Sequence, residues 1–210
     1  MNGIGMLAFL LGIAAASSAA MGLIKKKVFS GIYGALNAGD YGLFFRKVDS
    51  KCARAVLPVY SRENMKLSAY IAQDDAALVA GQINSMMKHS MNSWQLTGLL
   101  VRGYDYFLQQ MDGPKCGRIL AKMEDVLTPE HLEKYRMNHD ILFGGSTEHV
   151  GRLKKDLGGH RGRMKGYLEY LLARSYQNMG KQEACGAFLE EAAKEYKTDA
   201  AGIEKQLRVM

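Results

Sequence analysis

The chain has 210 residues, only three prolines and a formal net charge of +7 at pH 7. This length is sufficient for one ordinary domain or one short repeat array with a sizeable buried core, and a second domain is not needed. The three cysteines are widely separated and form no CxxC pair, which argues against a disulfide framework and against a zinc site.

The first predicted element is an uncharged apolar stretch, residues 4–24, that runs directly into Lys25, Lys26 and Lys27. As a helix it would extend about 30 Å, which matches the hydrocarbon core of a bilayer. Basic residues beside a span stay on the cytoplasmic side, so the N-terminus is expected outside and the following domain in the cytoplasm. We therefore predict that residues 1–27 form a single-pass anchor whose residues 4–24 contact the bilayer.

Two alternatives to the anchor stay open. Small residues between positions 14 and 20 offer sites for a signal peptidase, although a cleaved signal carries its positive charge before the apolar region. A buried soluble helix is the other alternative. It is disfavoured because the large apolar side chains point all round the helix. The order of charges fits an uncleaved anchor best.

After the lysines, helical segments are separated by short turns at a nearly constant interval. The central turn residues Gly39, Asp74, Gly113, Gly145 and Gly180 follow one another at spacings of 35, 39, 32 and 35 residues. Apolar residues at helical spacing flank each turn, so each unit is predicted to be a helical hairpin. The expected hairpins are 28–56, 61–89, 92–127, 129–157 and 161–196, with a terminal helix from Asp199.

The last hairpin resembles a tetratricopeptide repeat. Leu172 and Ala173 precede Tyr176 at the family's spacing, and Gly180 occupies the turn. The small, large and small residues that the family has after the turn are Cys185, Leu189 and Ala192, whereas Lys197 replaces its proline. The first hairpin shares the turn at residues 37–41, the second has Tyr70 four residues before Asp74, and the third and fourth match only in period and turn chemistry.

The resemblance implies an all-α protein in which the transmembrane helix is followed by about five hairpins. Residues 28–197 would form this repeat domain, and residues 198–210 would form a C-terminal capping helix. An irregular helical bundle with coincidental spacing is the alternative. Four aromatic residues of the third hairpin lie at helical spacing and are interpreted as packing residues: Trp94, Tyr104, Tyr106 and Phe107.

Repeat proteins of this kind bind an extended peptide or a partner helix on the first helix of each pair, so the resemblance implies a scaffold or adaptor. In the last hairpin, the spacing from the packing positions predicts that Tyr170, Arg174 and Asn178 face the partner. No cofactor is expected. The predicted mechanism is binding of a protein or peptide, without catalysis.

A basic stretch supports a second hypothesis. Six basic residues stand against Asp156 alone, and they are Arg152, Lys154, Lys155, Arg161, Arg163 and Lys165. Such a stretch could bind anionic lipid headgroups, nucleic acid or an acidic partner. Lipid is favoured over nucleic acid, because the anchor would hold the domain beside the membrane and no nucleic-acid-binding motif is present.

Catalytic motifs are lacking in the sequence. The five histidines are scattered, and none stands in an HExxH or comparable metal-binding pattern. The glycine pairs 144–145 and 158–159 lack a phosphate-cradle motif and are better explained as helix stops. We predict no catalytic residue and no metal ligand, although an enzyme whose site assembles only in three dimensions would escape this test.

Overall fold

A computed structural model describes the backbone of residues 3–203 and the side chains of residues 20–200, 202 and 203. Within this range the protein contains α-helices, one 3-10 turn and no strand, so the predicted all-α class is confirmed. The helices are α1 (Gly3–Asn37), α2 (Tyr41–Val48), α3 (Lys51–Val56), α4 (Val59–Ala72), α5 (Ala76–Met86), α6 (Ser93–Gln109), α7 (Gly113–Met123), α8 (Pro129–Leu142), α9 (Val150–Leu157), α10 (Gly162–Asn178) and α11 (Gln182–Tyr196).

The chain divides into two compact units between Met91 and Asn92. Helices α1 to α5 belong to the first unit, and α6 to α11 belong to the second. The sequence led us to expect one domain over residues 28–197. The boundary falls between the second and third predicted hairpins, and each unit has its own cluster of buried apolar side chains.

Five of the connections between helices contain a residue with left-handed backbone. Gly162, at the start of α10, and Lys197, after α11, also have positive φ but lie outside this series. Positive φ angles of 69°, 53°, 52°, 68° and 72° occur at Gly39, Asp74, Met111, Gly145 and Gly180. These residues follow one another at spacings of 35, 37, 34 and 35 residues. The third left-handed residue is therefore Met111 rather than the predicted Gly113, and the resulting period is more regular than the one read from the sequence.

Four of these turns also share one hydrogen-bond pattern. The residue after the left-handed one donates its backbone N–H to the carbonyl five positions earlier, as in a Schellman motif. The pairs are Asp40 to Ala35 (3.0 Å), Asp75 to Tyr70 (3.3 Å), Asp112 to Phe107 (2.9 Å) and Lys181 to Tyr176 (2.9 Å). The turn at Gly145 differs, because the Ser146 N–H donates to the carbonyl of Asp140, six positions earlier.

Three of the same residues also begin the next helix. The carboxylates of Asp40, Asp75 and Asp112 accept hydrogen bonds from backbone N–H groups in the first turns of α2, α5 and α7, at 2.8 to 3.0 Å. One aspartate thus closes one helix with its N–H group and caps the following helix with its side chain. This arrangement satisfies groups at both helix ends within a three-residue connection.

The second helices of these pairs each bury the residue at the same position relative to the turn. The residue five positions after the left-handed one has at most 7% of its surface exposed in Phe44, Val79, Cys116 and Cys185. Close packing within a pair joins α1 with α2, α4 with α5, α6 with α7, and α10 with α11.

Two predicted hairpins differ from this pattern. In the first, the second arm is interrupted by Ser50, whose hydroxyl caps α3 by accepting the Ala53 N–H at 3.1 Å. In the fourth, predicted over 129–157, α9 packs closely against α10 and α8 packs against α7 and α10. The prediction of a fourth hairpin is therefore wrong. Helix α9 has only eight residues, of which Leu153 is fully buried, and a seven-residue connection separates it from α8.

The predicted anchor falls in the first part of α1. This helix continues without a break into the first helix pair. No helix in the described part of the chain is long and apolar enough to cross a membrane. The side chains of residues 4–19, most of the predicted span 4–24, lie outside the described residues.

The C-terminal capping helix was predicted over residues 198–210. A 3-10 turn forms at Ala200–Gly202, and the Ile203 side chain is fully buried in the core of the second unit. Residues 204–210 lie outside the described part of the chain.

The left-handed turn predicts opposite effects for one substitution at two nearby glycines. A methyl group at Gly180 or at Gly186 would meet no other atom within 4 Å. Because Gly180 has φ +72°, Gly180→Ala should lower the free energy of unfolding by about 1 kcal/mol. Gly186 lies within α11, so Gly186→Ala should raise it by about 0.5–1 kcal/mol. Urea denaturation measures both, and equal effects would contradict the turn geometry.

Candidate functional site: a basic cleft in the second unit

The residues predicted to face a partner do not form an exposed surface on α10. Tyr170 has 2% of its surface exposed and packs in the core of the second unit. Helix α8 packs against α10 and contributes Met137 and Ile141 to the same cluster. The prediction that Tyr170 contacts a partner is therefore corrected.

Asn178 has a role within the fold. Its side-chain amide donates hydrogen bonds to the carbonyls of Ile141 at 2.9 Å and Ser146 at 3.2 Å. These bonds join the end of α10 to the end of α8 and to the loop that follows it. Arg174, the third predicted residue, is half-buried, and its partner contact stays a prediction.

The basic stretch lies at the end of α9 and the start of α10. Three of its six residues, Lys154, Arg161 and Lys165, line one surface cleft of about 680 Å³. His160 and Glu195 line the same cleft, and so do Leu157, Gly158 and Gly162. Part of this stretch therefore lines one cleft, together with a histidine and a carboxylate that sequence reasoning did not include.

The other three basic residues lie elsewhere. Arg152 forms an ion pair with Glu133 of α8 and lies 3.8 Å from Asp156. Lys155 and Arg163 are exposed but do not line the cleft. The six basic residues of the stretch therefore fall into three groups. One is paired with Glu133, two are solvent-exposed away from the cleft, and three line the cleft.

Lys165 forms the most constrained part of the cleft wall. Its ammonium lies 2.9 Å from Glu195 and 3.3 Å from Glu169, whose side chain is 3% exposed. Burial raises the pKa of Glu169 above its ordinary value, although the Lys165 ammonium acts in the opposite direction. The pKa of Lys165 is raised in turn by its hydrogen bonds to Glu195 and Glu169. Lys165 is therefore occupied by two carboxylates, and its charge is not available to a ligand.

Two other basic side chains are better placed to meet a ligand. Arg161 is exposed and forms no ion pair within the described residues. Lys154 is also exposed, and its ammonium lies 5.6 Å from the centre of the Tyr176 ring. The Nδ1 atom of His160 is 2.8 Å from the carbonyl of Asp156, so Nδ1 carries the proton and donates this bond.

The cleft also contains the start of α10. Arg161 is the N-cap residue and provides no side-chain cap, and Gly162 has φ +59°, a conformation that favours glycine. The first backbone N–H groups of a helix have no partner within the helix and favour anions. Together with Arg161 and Lys154, this helix end makes the cleft suited to a small anion such as phosphate or a carboxylate.

Helix stops predicted in the sequence are confirmed here. Helix α9 ends at Leu157, and Gly158 is its C-cap residue. No group of three or more metal-ligating side chains exists among the residues that the structure describes.

Comparisons with protein-family models, with curated proteins and with solved structures found no match for this chain.

The geometry of the cleft predicts that Arg161 and Arg163 differ in anion binding. Inorganic phosphate at a tenfold excess over its Kd would stabilise the full chain by about 1.4 kcal/mol, visible as a higher Tm. Arg161→Gln should remove this effect. Arg163→Gln, with the same loss of charge beside the cleft, should keep it.

Sodium chloride at matched ionic strength separates binding from general screening. The prediction is contradicted if phosphate leaves the Tm of the unmodified chain unchanged, or if the two variants respond equally.

Proposed function

We propose that this protein is a membrane-anchored adaptor built from tetratricopeptide-like helical repeats, which binds a protein or peptide partner without catalysis. The recurring turn carries this proposal. Its left-handed residues Gly39, Asp74 and Met111 are 35 and 37 positions apart, and Gly180 follows 69 positions later, which is about two tetratricopeptide periods of about 34 residues. Repeats of this kind bind partners through side chains on successive hairpins.

Two features of the repeat register support the tetratricopeptide comparison. In the last pair, Tyr176 lies four positions before the left-handed Gly180, and its ring stacks on Phe188 of α11 at a centroid distance of 5.5 Å. Tyr70 holds the equivalent position before Asp74 and Phe107 holds it before Met111, whereas the first pair has Ala35 there. A large residue at this position packs the first helix of a pair against its neighbours.

Trp94 is the side chain that we assign to partner contact. It was expected to pack inside the protein with Tyr104, Tyr106 and Phe107, and those three are indeed buried. Trp94 is 83% exposed on the first turn of α6, so the packing prediction is wrong for this residue. Exposed tryptophans supply large, rigid contact areas and are enriched among the residues that dominate binding energy.

The anchor in this proposal is residues 4–24, with Lys25, Lys26 and Lys27 on the cytoplasmic side. The three lysines are exposed on α1. Because α1 continues directly into the first helix pair, the first unit would be held close to the bilayer rather than on a flexible tether.

A second candidate function is anion binding in the basic cleft, and the exposed Arg161 at an uncapped helix start favours it. The ligand would be a phosphate or carboxylate group. This function is compatible with an adaptor, because an acidic side chain of the partner could supply the anion.

The adaptor proposal is tested by site-specific crosslinking in native membranes. The photoreactive residue benzoylphenylalanine replaces Trp94 in one sample and exposed Lys122 of α7 in a matched control. We expect the full chain to stay in the membrane pellet after carbonate extraction, and a discrete protein adduct to form from position 94 only. A chain released by carbonate would contradict the anchor, and identical adducts from both positions, or none from 94, would contradict partner contact at Trp94.

A further inference from the structure

The helices that follow the proposed anchor carry a second group of basic side chains. Between residues 20 and 57 the only acidic residues are Asp40 and Asp49. The basic residues of this segment, here termed the α1–α3 basic surface, are Lys25, Lys26, Lys27, Arg46, Lys47, Lys51 and Arg54. Six of them are exposed and Lys47 is half-buried.

Neither acidic residue neutralises this group. The Asp40 carboxylate caps α2 by accepting the Leu43 N–H at 2.8 Å. The Asp49 carboxylate lies 2.8 Å from the ammonium of Lys66 on α4. Across the described part of the chain, none of the seven basic side chains forms an ion pair. Their charge is therefore available to an external anion.

Packing brings these side chains into one region. Helix α1 packs against both α2 and α3, and the three helices share one buried cluster that includes Ile32, Phe44 and Ala53. The Lys47 ammonium crosses to α1, where it lies 3.1 Å from the position that a Cβ atom would take on Gly31. Lys27 lies four residues before Gly31 and so on the same face of α1. The Lys47 ammonium therefore lies against the face of α1 that also carries Lys27.

Exposed apolar side chains adjoin the lysines. On α1, Met21 is 53% exposed, Leu23 is 71% exposed and Ile24 is 44% exposed. An apolar segment followed at once by basic side chains matches the boundary between hydrocarbon and headgroups, where lysine extends its ammonium toward water.

We infer that the α1–α3 basic surface binds the anionic headgroups of the bilayer leaflet next to the anchor. This inference rests on the proposed anchor, and it adds which surface of the first unit faces the membrane and which lipid chemistry it selects. Clusters of basic residues beside a membrane segment attract anionic lipids, and salt weakens the attraction. A bilayer is the occupant rather than nucleic acid, because the cations continue from an exposed apolar segment.

The chain carries a natural probe for this contact. Cys52 is exposed on α3 next to Lys51, whereas Cys116 and Cys185 are buried. Burial also raises the pKa of the Cys116 thiol to about 12, so it stays protonated and unreactive at neutral pH. A thiol-reactive fluorophore on the full chain would therefore label Cys52 selectively.

The experiment places the labelled full chain in vesicles that contain a headgroup-attached quencher. One set is neutral phosphatidylcholine, and the other contains added phosphatidylserine. We expect strong quenching in the anionic vesicles at low salt and its loss at high salt. The variant Arg46→Gln, Lys47→Gln, Lys51→Gln, Arg54→Gln should lose most of the quenching.

A matched variant controls for net charge. This control removes an equal number of positive charges, four, from the second unit and should leave quenching unchanged. It is the variant Lys154→Gln, Lys155→Gln, Arg161→Gln, Arg163→Gln. Equal quenching in neutral and anionic vesicles, or equal loss in both variants, would overturn the inference while the anchor stands. The salt comparison on the unmodified chain decides the question even if a variant fails to fold.

Carbonate extraction of the same vesicles separates this inference from the anchor. If carbonate releases the chain, the anchor fails, and sedimentation with vesicles then tests the surface alone. The basic surface would still be supported if the chain binds anionic but not neutral vesicles, and if the fourfold variant at positions 46, 47, 51 and 54 loses this binding. Binding to neither, or binding of the full chain to RNA in preference to anionic vesicles, would overturn it.

Discussion

The three-residue turn that closes one helix and opens the next is the constraint on which the structure depends. A left-handed residue turns the backbone, and the residue after it donates its N–H to the end of the first helix. Where that residue is Asp40, Asp75 or Asp112, its carboxylate also caps the second helix. Because the turn has a fixed length, it also fixes which residue of the second helix is buried five positions later.

The sequence predicted these turns where their residues have distinctive backbone chemistry. Gly39 and Gly180 are visible because glycine adopts positive φ at little cost. Met111 carries no such signal, so the third turn was assigned to Gly113, which lies inside α7. Tyr170 and Trp94 were misassigned for another reason. Their exposure depends on contacts distant in sequence, such as the packing of α8 against α10.

Ion pairing explains why charge in the sequence only partly predicted the candidate site. The stretch from Arg152 to Lys165 is dense in positive charge, but Glu133 of α8 and Glu195 of α11 neutralise its two end residues. The first unit shows the converse. Its cations are spread over three helices, and the nearby acid Asp49 forms an ion pair with Lys66 of α4 instead. The less conspicuous pattern therefore keeps the greater available charge, which is the basis for proposing headgroup contact in the first unit.

Hydrogen exchange at individual backbone amides tests the recurring turn most directly. The amides to follow are those of Asp40, Asp75, Asp112 and Lys181, each of which donates to a carbonyl five residues earlier. Helix ends without such a bond exchange nearly as fast as an unstructured chain. We predict that all four amides are protected and that their protection is similar within each unit. Exchange of these amides at unstructured rates, while the helix interiors stay protected, would contradict a shared turn and the repeat built on it.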